Sequence, residues 1–209
     1  MHVELEKIAK IKVVPVVAIN NAADAEPLAA ALVAGGLPCA EVTFRTDAAL
    51  ESMKTMAALG NIQVGAGTVS KVDQVKAAVD AGATFMVSPG FNPKVVEYCV
   101  SNGIPIAPGI TNPTDIEMAL DFDLEVLKFF PAEAFGGIKT LKALSGPYGG
   151  IKFIPTGGIS ASNLLDYLAF PKVLACGGSW MVASDLISGG KFSEIEKLTK
   201  EAVELANSL

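Results

Sequence analysis

Short apolar runs rich in β-branched residues recur along the chain, alternating with stretches whose apolar positions fall at helical spacing. The runs are Val13–Ile19, Cys39–Arg45, Ile62–Thr68, Phe85–Gly90, Ile104–Ile110, Val126–Pro131, Lys152–Gly158 and Val173–Trp180. Runs this short, bounded by Gly, Pro and Asn, read as strands buried on both faces. The segments between them carry helix start signals. Asn92-Pro93 and Asn112-Pro113 each set a capping side chain before a proline at the first helical position. Ser160 or Ser162 is the expected cap of the helix through Leu164, Leu165 and Leu168. Strands and helices alternating with short connections make βα units and a parallel sheet. Eight such units predict an α/β fold of the (β/α)8 TIM-barrel type, with an additional N-terminal helix near residues 3–10 covering one end. The competing architecture is an open doubly wound sheet. That sheet usually has a Gly-rich turn after its first strand, where this chain reads Asn20-Asn21-Ala22-Ala23. Pro15 counts against a central first strand, because it has no N–H for the ladder; a bulge or an early strand position would accommodate it. No linker or charge block divides residues 1–209, so a single domain is expected.

Composition narrows the class. Apolar residues make up 51% of the 209 and charged residues 18%, which suits a large buried sheet and excludes disorder and coiled coil. The net charge is −6 and no run of Lys or Arg occurs, so no nucleic-acid partner is expected. Acidic residues at Glu4 and Glu6 do not fit a signal peptide, and no apolar run approaches a membrane span; a cytoplasmic protein is expected. Cys39, Cys99 and Cys176 are odd in number and sit among apolar neighbours, as reduced packing residues do. The one histidine is His2, which removes His-based acid–base chemistry, Ser-His-Asp triads and most zinc sites.

The informative positions are charges inside strands. In Glu41-Val42-Thr43-Phe44-Arg45 the apolar residues suit the helix-facing side, which turns Glu41, Thr43 and Arg45 inward, with Arg45 at the C-terminal mouth. A buried carboxylate costs several kcal/mol unless it is paired, so Glu41 has a partner or a job. In Val126-Leu127-Lys128-Phe129-Phe130, Leu127 and Phe129 face helices and the Lys128 amine points inward. It is either a structural partner of Glu41 or a reactive amine. An ordinary lysine has a pKa near 10.4, and desolvation by residues such as Phe130 favours the neutral form that attacks carbonyls. Lys12, Lys152 and Lys172 lie at or before strand beginnings, away from the mouth. The last two strands end in Thr156-Gly157-Gly158 and Gly177-Gly178-Ser179. Paired glycines after the final two barrel strands are placed to bind phosphate through backbone N–H groups. Thr68 and Thr156 add hydroxyls at the same rim. Ser88-Pro89-Gly90 and Pro108-Gly109 supply turns whose roles, shaping or contact, the sequence leaves open.

Six segments now stand in one order: Glu41–Thr46, Gly65–Thr68, Ser88–Gly90, Lys128–Glu133, Pro155–Ile159 and Gly177–Trp180. Across nearly its whole length the chain resembles the 2-dehydro-3-deoxy-phosphogluconate aldolase family, also known for 4-hydroxy-2-oxoglutarate aldolase activity. The resemblance implies a metal-free class I aldolase without cofactor, usually a homotrimer, acting in the Entner–Doudoroff pathway on a phosphorylated 2-oxo acid and yielding pyruvate. Carried over by position, the Schiff-base lysine is Lys128 and the acid–base glutamate Glu41. The pyruvate carboxylate falls to Arg45 and Thr68, stereoselectivity to Thr156, and the phosphate loops to Gly157, Gly158, Gly178 and Ser179. Phe135 departs from the small or polar residue common in the family, and the sequence leaves open whether an aromatic group near the mouth alters substrate fit. Two rivals remain open: a phosphate-binding isomerase or epimerase, which commonly pairs two carboxylates, and a catalytically silent interaction protein.

Overall fold

The computed structural model describes residues 1–209. Helix α1 (Val3–Ile11) leads into β1 (Val13–Val17), α2 (Ala25–Ala34), β2 (Cys39–Thr43), α3 (Ala49–Ala58) and β3 (Gln63–Gly67). Then come α4 (Val72–Asp80), β4 (Phe85–Val87), α5 (Pro93–Ser101), β5 (Ile106–Ala107), β6 (Gly109–Ile110) and α6 (Pro113–Leu120). The chain ends with β7 (Val126–Phe129), α7 (Gly137–Ser145), β8 (Lys152–Pro155), α8 (Leu164–Leu168), β9 (Cys176–Gly178), α9 (Ser184–Ser188) and α10 (Phe192–Ala206). Every predicted run holds a strand. Asn92 and Asn112 cap α5 and α6 through their side chains, each with proline following in the first turn, as their sequence predicts.

All ladders are parallel, but they form two sheets rather than one unbroken eight-strand ladder. Six strands run in the order β5-β4-β3-β2-β1-β9 and three in the order β6-β7-β8. The fifth run splits because Pro108 interrupts it. Its ring offers no N–H, while its carbonyl still accepts from the Lys128 N–H at 2.9 Å. On the other side no ladder joins β8 to β9; the two runs meet only through isolated bridges, Phe153 to Val173 and Thr156 to Gly177, each with one residue outside the strands. Pro15 corrects the expectation drawn from it: it lies mid-strand in β1, which pairs on both sides. The ladder to β9 runs from Val13 to Pro15 and the ladder to β2 starts at Val16, so the missing donor falls at the handover.

The strands bury both faces, with β1 and β2 buried at every residue. Val17, Val42, Ala66, Met86, Leu127 and Phe129 join helix side chains in a core of 46 buried residues. The opposite face carries Val14, Cys39, Phe85, Val87, Val126 and Ile154, closed at one end by Leu5 and Ile8 of α1. Gln63 ties α1 down by donating to the Glu4 carbonyl and carboxylate. All three cysteines are buried free thiols. Burial pushes Cys99 up to about 12 and raises Cys39 and Cys176 as well, which keeps them protonated packing groups. Gly65 stands beside Phe85 in the ladder, and a Cβ there would collide with the Phe85 ring. Gly65→Ala is therefore expected to destabilise the fold by about 1–3 kcal/mol, as overpacked cores do. Calorimetry should record this as a fall in Tm of roughly 2–4 °C per kcal/mol.

Candidate active site

Strand alternation puts Glu41 on β2 and Lys128 on β7 on the face that also carries Val14 and Phe85, and their tips meet. Lys128 Nζ lies 3.2 Å from Glu41 Oε1, with the residues 5% and 3% exposed. Beneath them is a tight apolar floor of Leu5, Ile8, Val14, Phe85, Ala107 and Ile154. The Lys128 amine sits 5.1 Å from the centre of the Phe130 ring. Each of the two charged groups makes only this one hydrogen bond within the protein, although an ammonium offers three donors and a carboxylate several lone pairs. A pair serving stability alone needs its remaining valences satisfied. Here they face a cavity.

That cavity, about 160 Å³, is lined by Val16, Glu41, Thr43, Arg45, Thr68, Pro89, Lys128, Phe130 and Thr156. Glu41 is its only acidic residue. A second cavity of about 120 Å³ adjoins it, sharing Val16, Arg45, Phe130 and Thr156 and adding Gly157, Gly158, Ile159, Gly177, Gly178 and Ser179. The site residues expected from the sequence thus converge, and Arg45 and Thr156 stand where the two spaces join. No protein carboxylate pairs with Arg45. Its Nε donates to Thr43 Oγ1 at 3.0 Å, and that hydroxyl donates to the Val17 carbonyl at 2.7 Å. Arg45 is therefore a guanidinium aimed by a buried threonine, with its outer nitrogens free for an anion. Thr156 lines both spaces, and its Oγ1 is buried beside Gly177 with no protein hydrogen-bond partner. Thr68 holds φ at 59°, a left-handed conformation that costs a β-branched residue energy and clusters at functional sites.

Some functional roles escaped the sequence. Gly67 is one: a Cβ there would collide with Glu41 Oε1, so its bareness makes room for the carboxylate. Pro89 resolves one open turn in favour of contact, for it lines the larger cavity while Ser88 Oγ shapes the turn by donating to the Gly90 carbonyl. Gly178 lies in the smaller cavity's wall, yet a Cβ on it would strike Trp180, so packing alone already demands a glycine. Ser160 and Ser162 are not helix caps. Their hydroxyls bond each other at 2.8 Å, and Asn163 precedes α8 instead. Phe135, whose effect the sequence left open, is 48% exposed in a short turn and lines neither cavity. The other lysines near strands are spent on carbonyls, Lys12 on Ala206, Lys152 on Pro171, and Lys172 on Ser145 and Tyr148.

Comparison with known proteins finds relatives along nearly the whole chain. The family model for KDPG and KHG aldolase matches residues 5–198. The chain is 48% identical to the 2-dehydro-3-deoxy-phosphogluconate aldolase of Treponema pallidum over 201 residues, covering 96% of each protein. It superposes with TM-score 0.91 and 37% identity on the KDPG aldolase of Legionella pneumophila, solved with pyruvate captured as a covalent carbinolamine intermediate. That match covers 94% of this chain and 97% of the other. The Zymomonas mobilis ZM4 2-keto-3-deoxy-6-phosphogluconate aldolase, solved with 3-phosphoglycerate, gives TM-score 0.89 and 40% identity over 95% of this chain and 94% of that one. A family match of this extent, on top of the paired amine and carboxylate, makes the chain a member of the KDPG and KHG aldolase family.

Proposed function

We propose that the chain is a class I aldolase that cleaves 2-dehydro-3-deoxy-6-phosphogluconate to pyruvate and glyceraldehyde 3-phosphate, and 4-hydroxy-2-oxoglutarate to pyruvate and glyoxylate. The observation that carries this is a buried amine 3.2 Å from a buried carboxylate, both open to one cavity. Lys128 passes a proton to Glu41 and attacks the C2 carbonyl, forming a carbinolamine. Glu41 returns the proton to the departing hydroxyl, and water leaves a protonated imine. The imine draws the electrons of the C3–C4 bond as the C4 hydroxyl gives its proton to Glu41. The aldehyde leaves; Glu41 protonates the enamine at C3, and water releases pyruvate and the free amine. General acid–base help of this kind is worth roughly 10²–10⁴ in rate. Arg45 and Thr68 hold the carboxylate and fix C2 over Lys128. Thr156 reads the hydroxylated carbons, while Gly157, Gly158, Gly178 and Ser179 take the phosphate.

A single acidic residue in the cavity favours this reading over an isomerase working with two carboxylates. The test is pyruvate release from the phosphorylated substrate by the purified chain; silence in that assay overturns the assignment. Thr43→Val removes the group that aims Arg45, and one hydrogen bond is worth about 1 kcal/mol. KM for the 2-oxo acid should rise about fivefold with kcat less affected.

We also infer that the two sheets close into a (β/α)8 barrel of one domain, supported by the Lys128–Pro108 bond on one side and the Thr156–Gly177 bridge on the other. Assembly as a homotrimer follows the family resemblance, and light scattering should give three times the 21.6 kDa chain mass. No helix is long and apolar enough to cross a membrane, and three free buried thiols fit the cytoplasm.

A further inference from the structure

The loop after β8 turns three successive peptide groups the same way. The Thr156 carbonyl accepts from the Ala132 N–H at 2.8 Å and the Gly157 carbonyl from the Glu133 N–H at 3.0 Å. The Gly158 carbonyl accepts from Asn163 Nδ2 at 3.0 Å. Ala132, Glu133 and Asn163 do not line the smaller cavity, whereas Gly157, Gly158 and Ile159 do. In a trans peptide the C=O and the following N–H point in opposite directions. Tying the three carbonyls back therefore turns the N–H groups of Gly157, Gly158 and Ile159 the other way, and none of the three donates to any protein acceptor.

Two of these ties are made by backbone and come with the fold. The third is made by a side chain. It holds the peptide where the loop is softest, after Gly157 and Gly158 with φ of 99° and 79°, a region in which glycine moves at little cost. Asn163 grips the loop twice, for its Oδ1 also accepts from the Ser160 N–H at 2.9 Å. It makes no cap bond to α8, although a capping residue type stands in the capping position.

We infer that Asn163 is a positioning residue for anion recognition: by holding the Gly158 carbonyl it locks the Gly158–Ile159 peptide with its N–H toward the cavity, as the third donor to a phosphate group. This rests on the aldolase reading, in which the smaller cavity takes the substrate phosphate. Without Asn163 the peptide is free to rotate and present its carbonyl, so an anion would lose a donor and meet an acceptor. Asn163 touches no substrate atom and leaves the Lys128 end of the site untouched.

The test compares the wild type with Asn163→Ala and with Asn163→Ser, which supplies a helix-capping hydroxyl in place of the amide should the alanine variant fold poorly. Losing one charge-assisted donor should raise KM for the phosphorylated substrate about tenfold, with inhibition by inorganic phosphate weakened to match. For 4-hydroxy-2-oxoglutarate, which has no phosphate, kcat/KM should stay within about twofold, as should the rate of pyruvate trapping by borohydride. A folded variant with unchanged KM for the phosphorylated substrate, or one that loses both substrates equally, overturns the role of Asn163. Wild-type protein that does not trap pyruvate refutes the aldolase reading itself. Wild-type protein that traps pyruvate but ignores inorganic phosphate refutes the anion site, and Asn163's role with it.

Discussion

Lys128→Arg is expected to fold, to keep a cation opposite Glu41, and to release pyruvate at a rate lower by about four orders of magnitude or more, as losing a covalent nucleophile does. Guanidinium does not give up its proton in proteins, so it forms no carbinolamine. The expected signature is specific. Wild-type protein treated with pyruvate and sodium borohydride gains a permanent adduct, and peptide mapping finds it on Lys128; the arginine variant gains none. An adduct on Lys12, Lys152 or Lys172 would contradict the geometry, since those amines are held on carbonyls outside the cavity. Lys128→Met separates this from a purely structural pair. It leaves the Glu41 carboxylate buried without its one partner, an arrangement that costs about 3–5 kcal/mol when the charge persists. A methionine variant that turns substrate over would sink the mechanism whatever its stability.

Glu41, Arg45 and Lys128 were readable because a charge on a doubly buried strand has few places to go. Alternation then put each on the cavity side, where Val42, Leu127 and Phe129 are absent. The glycine pairs were readable for a similar reason, falling at the ends of the last two strands. What was not legible depends on which atoms meet. Pro15 looked misplaced because a single strand does not reveal where one ladder hands over to the next. The break at Pro108 is a matter of pairing, not of composition, and so is the thin contact between β8 and β9. Serines and asparagine are all good capping types, so the spacing alone did not tell Ser160 and Ser162 from Asn163. The roles of Gly65 and Gly67 needed the neighbouring strand: in isolation they are small residues in a run, while in the ladder one clears Phe85 and the other Glu41. Phe135 shows the converse, a residue adjacent in sequence to the site whose side chain leaves it.

Glu41→Gln tests whether one carboxylate moves every proton. The amide matches the carboxylate in size, so it fits the space that Gly67 leaves, and its Oε1 still accepts from Lys128. What it loses is the capacity to take a proton. Cleavage of the 2-oxo acid should fall by roughly 10²–10⁴, while pyruvate still yields the borohydride adduct on Lys128, more slowly. The decisive measurement is a second reaction at the same site. Pyruvate bound as its imine forms the enamine by losing a C3 proton and regains one from solvent, so in D2O its methyl group exchanges, a change that NMR follows. If Glu41 serves both the C4 hydroxyl and C3, exchange and cleavage must decline together by similar factors. Exchange at the wild-type rate beside failed cleavage would mean that another group protonates C3. The cavity offers no second carboxylate and no histidine for that task, so the candidates would be a threonine hydroxyl or solvent. A loss of both reactions together is therefore the outcome that the pairing of Lys128 with one acidic side chain requires.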